Sequence, residues 1–212
     1  MRILRHLAVY SLLLLPLLAI AAGPVKYQEG QAYHKIVPAQ PTANPEKVEV
    51  VEVFWYGCPH CHRFQPYVER WLLGEPANVE FIRLPAILSE RWAIHARAYY
   101  AAEALGVLER IHGKLFDAMH VGKERLDTEQ SLADFFARQG VDKAEFLEAF
   151  NSFAVNSKVS RARELTRRYG IEGTPAVVIN GKYRTSPASA GSFESLIDIM
   201  DHLVAREAAT LN

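Results

Sequence analysis

The chain of 212 residues contains two cysteines, and both lie in the motif Cys58-Pro59-His60-Cys61. The β-branched and apolar run just before the motif, Val48–Phe54, predicts a central strand. Residues 59–73 carry apolar side chains at three- and four-residue steps, which predicts a helix closed by Gly74. A disulfide across so short a loop constrains the unfolded chain very little. We therefore interpret the pair as chemically active rather than as a structural staple.

The position of the cysteines at a strand-to-helix junction predicts unequal sulfur chemistry. Cys58 lies where the helix begins, and the unpaired N–H groups and positive dipole end there favour a thiolate. Pro59 falls at the first helical position, where its missing N–H costs nothing. Cys61 follows one turn later as the predicted buried partner, which leaves Cys58 as the exposed sulfur, and His60 can add charge or a hydrogen bond. A fall in the Cys58 pKa from about 8.5 to about 4 would stabilise the reduced form by roughly 4 kcal/mol at pH 7, equivalent to about 90 mV.

Two glutamates of the predicted strand have different expected roles. Glu52 shares one strand face with an otherwise apolar row and is predicted to be buried; that row is Val48, Val50, Phe54 and Tyr56. A buried, unpaired carboxyl group tends to hold its proton, which suits a group that passes protons to or from Cys61. A solvated or paired structural glutamate is the alternative. Glu49 lies on the opposite face and is expected to be solvated.

The amino-terminal residues 1–22 have the layout of a secretory signal peptide. Arg2 and Arg5 precede an apolar run at positions 7–20, and small residues follow it. Cleavage is expected near residues 21–23, and an uncleaved membrane anchor is the alternative. The whole chain has 24 basic and 24 acidic residues, so loss of the two arginines leaves a formal charge of −2. No pattern indicates a nucleic-acid-binding surface.

The rest of the chain predicts an α/β fold with a helical insertion. A second strand is predicted at residues 79–84, and residues 91–169 form a series of short helical patterns. Glycines 106, 140 and 170 suit helix ends, while Asp127 with Gln130 and Asp142 with Glu145 have capping-box spacing. Strands are predicted at residues 176–179 and 182–184, joined by an Asn180-Gly181 turn. A last helix is predicted at residues 193–208, with Ser192 as its cap.

Three segments carry a resemblance to a known family: residues 54–61, Phe-Trp-Tyr-Gly-Cys-Pro-His-Cys; residues 173–175, Gly-Thr-Pro; and residues 180–183, Asn-Gly-Lys-Tyr. With residues 27–33 and 151–153, they resemble the DsbA family of periplasmic disulfide-forming oxidoreductases over essentially the whole mature chain. The resemblance implies a thioredoxin-like fold with an inserted all-helical domain. The expected boundaries are 1–22 for the signal peptide, 23–86 and 163–212 for the thioredoxin-like domain, and 87–162 for the insertion.

The resemblance also implies roles for individual residues. Cys58 matches the attacking cysteine, Cys61 the buried partner and Glu52 the acid beneath the motif. Thr174 and Pro175 match the loop with a cis proline, which faces the cysteines and lets the Thr174 backbone pair with an extended substrate. A trans Thr174–Pro175 bond is the expectation from local sequence alone. Some family members carry a glutamate where this chain has Gln65. A proton route through that position is therefore not expected here, and Glu52 would have to transfer the proton alone.

The implied function is that of an exported thiol:disulfide oxidoreductase. It would donate the Cys58–Cys61 disulfide to reduced proteins folding in the periplasm, through a mixed disulfide at Cys58. A quinone-linked inner-membrane protein of the DsbB type would reoxidise it. The expected form is a monomer with no metal, no cofactor other than its own disulfide and no nucleic-acid partner.

Other chemistries remain open from the motif alone. The segment Cys58–His62 also matches the pattern Cys-x-x-Cys-His, which is the attachment signature of c-type haem. A zinc site formed by the cysteines with His60 and His62 is a weaker alternative, because the four side chains are close in sequence and no second ligand pair is evident. Within redox enzymes, an isomerase or reductase is the alternative, since the direction of electron flow depends on the reduction potential.

Overall fold

A computed structural model describes residues 26–74 and 77–211, so the predicted signal peptide lies outside the described residues. The described residues form one mixed sheet in the spatial order β1-β5-β4-β2-β3. Its strands are β1 (His34–Lys35), β2 (Val48–Phe54), β3 (Val79–Pro85), β4 (Ala176–Ile179) and β5 (Tyr183–Thr185). Strands β2 and β3 are parallel, and the other neighbouring pairs are antiparallel.

Helices cover both faces of the sheet. Those outside the insertion are α1 (Pro59–Leu72), α7 (Pro187–Ala190) and α8 (Phe193–Ala208). Five helices lie between β3 and β4: α2 (Glu90–Ala104), α3 (Leu108–His120), α4 (Glu129–Arg138), α5 (Lys143–Asn151) and α6 (Phe153–Arg168). This arrangement confirms the predicted α/β fold with a helical insertion. Helix α6 runs through the expected boundary at residues 162 and 163, and the domain limits stay predictions.

Strand β2 is buried along its whole length because it lies between two helical layers. Val48 and Val50 pack against α1 and α8 on one side, while Val51 and Val53 pack in a second cluster with the helical insertion. The expectation that Glu49 is solvated is wrong: only 5% of it is exposed, and its carboxylate accepts a hydrogen bond from the Ala43 amide. A strand covered on both faces has no solvated side.

Helix ends agree with the predicted signals at most positions. Ser192 caps α8 and Asp142 caps α5, each through its side-chain oxygen, and glycines 106, 140 and 170 have positive φ angles. The predicted cap at Asp127 is wrong. Thr128 caps α4 one residue later, where its hydroxyl and that of Ser131 bond reciprocally to backbone N–H groups. Asp127 instead lies 3.0 Å from Arg125 in an ion pair.

The Asn180-Gly181 turn joins β4 to β5 as predicted, with φ angles of 53° and 62°. A Cβ atom at Gly181 would lie 2.1 Å from the Gln40 carbonyl oxygen, so this position requires glycine. Strand β5 occupies residues 183–185 rather than 182–184, and it pairs with the two-residue β1, which is too short for a sequence pattern to reveal. Across residues 26–74 and 77–211, no helix combines the length and apolar character needed to span a membrane.

Candidate active site

The cysteine motif lies at the junction between the end of the buried strand β2 and the start of helix α1. The Cys58 amide donates to the Trp55 carbonyl, which closes the turn between strand and helix. Cys58 is the N-cap of α1, and its sulfur accepts a hydrogen bond from the Cys61 amide at 3.4 Å. Pro59 occupies the first turn of the helix, where no N–H is needed.

The two thiols have opposite electrostatic environments. A hydrogen bond from the Cys61 thiol lowers the pKa of Cys58 to about 5, helped by the Thr174 side chain and by the backbone amides of Cys61 and His60, although burial opposes the shift. Burial, followed by the neighbouring Cys58, raises the pKa of Cys61 well above its usual value. Cys58 therefore favours the thiolate and Cys61 the thiol.

The loop before β4 covers the first cysteine. The Thr174–Pro175 peptide bond is cis, and the Thr174 carbonyl oxygen lies 3.2 Å from the Cys58 sulfur. This contact explains why Cys58 is only 7% exposed, less than its expected role as the exposed sulfur implies. Beside this loop lies a groove with a volume of about 890 Å³, and His60 lines its rim with its Nδ1 3.0 Å from the Arg63 guanidinium.

Glu52 is fully buried on the side of β2 that faces α1. Its Oε1 accepts a hydrogen bond from Gln65 Nε2 at 2.8 Å, and its Oε2 lies 3.3 Å from Arg83 Nε on β3. Burial raises the pKa of Glu52, and the charge of Arg83 opposes that rise. The carboxyl group is thus buried, as predicted, and it is also paired. Val48 and Val50 share its face, whereas Phe54 and Tyr56 pack with the helical insertion.

Comparison with known proteins places this site in a family. Residues 78–196 match the model of the DSBA-like thioredoxin domain. The thiol:disulfide interchange protein DsbA of Azotobacter vinelandii is 40% identical over 201 residues, which cover 95% of this chain and 94% of that protein. Its counterpart in Pseudomonas syringae pv. tomato is 39% identical over 191 residues, 90% of this chain and 88% of the relative. The chain belongs to the DsbA family.

The fold comparison agrees with this assignment. The crystal structure of Pseudomonas aeruginosa DsbA matches with a TM-score of 0.83 and 40% identity, over 87% of this chain and 96% of that one. DsbA from Xylella fastidiosa matches with a TM-score of 0.80 and 36% identity, over 85% and 97% of the two chains. As a DsbA-family member, the protein is a thiol:disulfide oxidoreductase. In the described part of the chain, no three His, Cys, Asp or Glu side chains are grouped so that they could hold a metal ion.

This DsbA-family site has a buried side that the sequence did not reveal. Trp55, directly before the motif, stacks on Trp92 of α2 with ring centroids 4.3 Å apart, and its indole N–H donates to His95 Nδ1 at 2.8 Å. The ring also lies against Gly57, where a Cβ atom would be 2.3 Å from Trp55 Cζ2. Through this contact, helix α2 of the insertion supports the turn that presents Cys58.

A second buried group links the motif to helix α3. The Tyr56 hydroxyl lies 2.8 Å from His112 Nδ1, and His112 Nε2 lies 3.1 Å from Gln65 Oε1. His112 is 47 residues from Gln65 in sequence, and no local spacing connects them. The only sequence signal at this group was Gln65 itself, as a departure from some family members.

Proposed function

We propose that the protein donates the Cys58–Cys61 disulfide to reduced exported proteins in the periplasm. The observation that carries this proposal is the asymmetry of the two sulfurs, with the pKa of Cys58 lowered to about 5 and that of Cys61 raised. A thiolate with a pKa of about 5 in place of 9 stabilises the reduced form by roughly 3 kcal/mol at pH 7, equivalent to about 60 mV. Reduction of the disulfide is favourable for the same reason, and the protein acts as an oxidant.

The reaction proceeds in two exchanges. A substrate thiolate attacks the Cys58 sulfur, the bond to Cys61 breaks, and Cys61 leaves with the electron pair and takes up a proton. A second substrate thiolate attacks the substrate sulfur of the mixed disulfide, which forms the substrate disulfide and releases Cys58 as a thiolate. The two substrate thiols lose two protons in total. Cys61 takes up one proton, and the other is released to solvent.

Glu52 is the proton donor that we assign to Cys61. Its complete burial and its raised pKa support this role, because burial favours the protonated form of a carboxyl group, and that form can supply a proton to a departing thiolate. Thr174 and Pro175 form the substrate-binding loop. The Thr174 backbone beside Cys58 suits an extended substrate segment, which would pair with it as an added strand.

The remaining partners follow from family membership and from the export signal expected in residues 1–22. Reduced protein is returned to the disulfide form by a quinone-linked inner-membrane protein of the DsbB type. The working form is a monomer in the periplasm, with no nucleic-acid partner and no cofactor beyond the cysteine pair.

The redox equilibrium of the purified protein with glutathione tests the direction of transfer. We expect a potential well above the about −270 mV of reducing thioredoxins, together with ionisation of Cys58 near pH 5 in a thiolate absorbance titration. A potential close to that of thioredoxins would instead support a reductase. The haem alternative is tested on the same sample by its visible absorption spectrum.

A matched pair of variants tests the roles of the cysteines. Cys61→Ser retains the reactive sulfur, so oxidised glutathione should form a stable adduct with Cys58. Cys58→Ser retains only the fully buried Cys61 with its raised pKa, so it should form no adduct in the folded state. Mass spectrometry of both variants distinguishes these outcomes, and an adduct on Cys61 alone would reverse the assignment.

A further inference from the structure

A chain of side-chain hydrogen bonds ends on Glu52 beneath the cysteine motif. It runs from the Tyr56 hydroxyl to His112 Nδ1 at 2.8 Å, from His112 Nε2 to Gln65 Oε1 at 3.1 Å, and from Gln65 Nε2 to Glu52 Oε1 at 2.8 Å. All four side chains are buried. Buried polar groups of this kind act as a unit, because each depends on its neighbour for a hydrogen-bond partner.

The chemistry of the groups sets the direction of this chain. Gln65 Nε2 donates to Glu52 Oε1, an oxygen that can accept whether or not Oε2 carries a proton, so the Gln65 carbonyl oxygen faces His112. Burial and the charge of Arg83 lower the pKa of His112 to about 3, so the ring is neutral and carries one N–H. That hydrogen is on Nε2, because Gln65 Oε1 accepts it, and Nδ1 accepts from the Tyr56 hydroxyl. Every donor in the chain therefore points toward Glu52.

The two oxygens of Glu52 have different surroundings. Oε1 is held by Gln65, whereas Oε2 lies 3.3 Å from Arg83 Nε, and neither of these two atoms has a hydrogen-bond partner among the described residues. The other charged or titratable groups that face the carboxyl are Glu69 on α1, Tyr56 before α1 and Tyr99 on α2. The charge of Arg83 and the hydrogen bond from Gln65 both favour the ionised carboxyl group and oppose the effect of burial.

We propose that Gln65 and His112 are positioning residues, which hold Glu52 Oε1 in a hydrogen bond and thereby set how readily the Glu52 carboxyl group gives up its proton. The proposal rests on the proton-donor role proposed above for Glu52. When the Cys58–Cys61 bond breaks, the Glu52 proton passes to the Cys61 sulfur, and the Gln65 N–H stabilises the carboxylate that remains. When the disulfide is formed again, the Cys61 proton returns to the Glu52 carboxylate.

The test follows the titration of Glu52 in the oxidised protein through its carboxyl ¹³C signal, assigned by its loss in Glu52→Gln. In Gln65→Met the carboxylate loses an N–H donor, so we expect the midpoint to rise by about one pH unit, a tenfold change in proton affinity. In His112→Phe the Gln65 amide loses the partner that fixes its orientation, so we expect a smaller rise.

His95→Phe is the matched control. His95 is also a buried, hydrogen-bonded histidine, but its partners are the Trp55 indole N–H and the Leu126 carbonyl rather than Gln65. We expect this variant to leave the Glu52 midpoint unchanged. His112→Asn provides a second, smaller replacement at position 112, and chemical denaturation of each variant establishes that it is folded.

The same variants are then assayed for the pH dependence of peptide dithiol oxidation, whose midpoint should move with that of Glu52. An unchanged Glu52 midpoint in Gln65→Met and in the position 112 variants, or an equal displacement in His95→Phe, overturns the positioning role. Failure of the unmodified protein to oxidise the peptide instead refutes the proposed function, and the ¹³C titration still reports on Gln65 and His112 in that case.

Discussion

The cysteine motif has two sides that are built in different ways. On the groove side, the Cys58 sulfur interacts first with the Cys61 thiol and then with the backbone amides of Cys61 and His60, and the Thr174 carbonyl oxygen lies 3.2 Å away. On the buried side, side chains from distant helices meet, and Gln65 and Arg83 contact Glu52 directly.

This difference separates two tasks. The Cys61 thiol and the backbone donors at the helix start stabilise the Cys58 thiolate, so the groove side sets the equilibrium between thiol and thiolate. The buried side contains Glu52, a carboxyl group that can gain or lose a proton, which is the basis of the proton-donor role proposed for it. Changes on the buried side should therefore alter stability and its pH dependence, and changes on the groove side should alter the Cys58 pKa.

The largest expected effect is on the buried side. Arg83→Met removes the guanidinium that faces Glu52 Oε2 and leaves a buried carboxylate without its charge partner, which costs about 3 to 5 kcal/mol in unfolding free energy when such a pair is broken. Burial raises the folded-state pKa of Glu52, and Arg83 opposes that rise, so the loss of the Arg83 guanidinium raises the Glu52 pKa further. The deficit relative to the unmodified protein should therefore be greatest at pH 8 and shrink as the pH falls toward about 4.5.

Guanidinium denaturation at pH 8 and pH 5 measures this prediction. The control is the double variant Glu52→Gln with Arg83→Met, in which no carboxyl group is left to titrate, so its deficit should not depend on pH. A deficit of equal size at both pH values in the single variant would indicate lost packing rather than lost charge.

The next effect is on the groove side and concerns the reduced form. The folded-state pKa of Cys58 is depressed to about 5 from 9.0, so its stabilisation is complete above about pH 9 and is lost as the pH falls through 5. The Cys58 thiolate should increase the unfolding free energy of the reduced protein relative to the oxidised protein. This contribution should fall from about 3 kcal/mol at pH 7 to below about 1 kcal/mol at pH 5.

Unfolding of both redox forms at the two pH values gives the difference directly, since groups that titrate alike in both forms cancel. Reduced Cys58→Ser should lack this pH-dependent contribution. A reduced-minus-oxidised difference that is constant between pH 7 and pH 5 would contradict a Cys58 thiolate in this range.

The difference between the two sides also explains which features of the fold and the site could be predicted from the sequence. The N-cap at Cys58, the Asn180-Gly181 turn and the Ser192 cap depend on a few neighbouring residues, and each was predicted. The pairs Trp55 with His95 and Gln65 with His112 join residues 40 and 47 positions apart. Such contacts are set by the packing of the insertion on the sheet, which no local spacing encodes. The burial of a charged strand residue such as Glu49 depends on the same packing.

A change at the boundary of the two sides should have an intermediate effect. Gly57→Ala places a Cβ atom 2.3 Å from Cζ2 of the Trp55 ring, which the stack on Trp92 and the bond to His95 keep in place. Overpacking of this kind costs about 1 to 3 kcal/mol. Chemical denaturation measures the loss.

Gly113→Ala is the control for this substitution. Gly113 lies inside α3, and a Cβ atom there meets no atom within 4 Å, so alanine should stabilise the helix by about 1 kcal/mol. Equal effects of the two substitutions would show that the Trp55 ring can move aside at no cost, and the insertion would then not support the motif through this ring.

The smallest expected effect tests how much the Thr174 side chain contributes on the groove side. Thr174→Val removes the hydroxyl, which helps lower the pKa of Cys58, and keeps the carbonyl and the shape of the side chain. The Cys61 thiol, which contributes most, and the backbone amides of Cys61 and His60 remain, so the Cys58 pKa should rise by less than about one unit, and the potential should fall by less than about 30 mV. Thiolate absorbance against pH and equilibration with glutathione measure the two quantities. Since the Cys61 thiol and the backbone donors are unchanged, a rise of several units would show that the threonine side chain, rather than these donors, stabilises the thiolate.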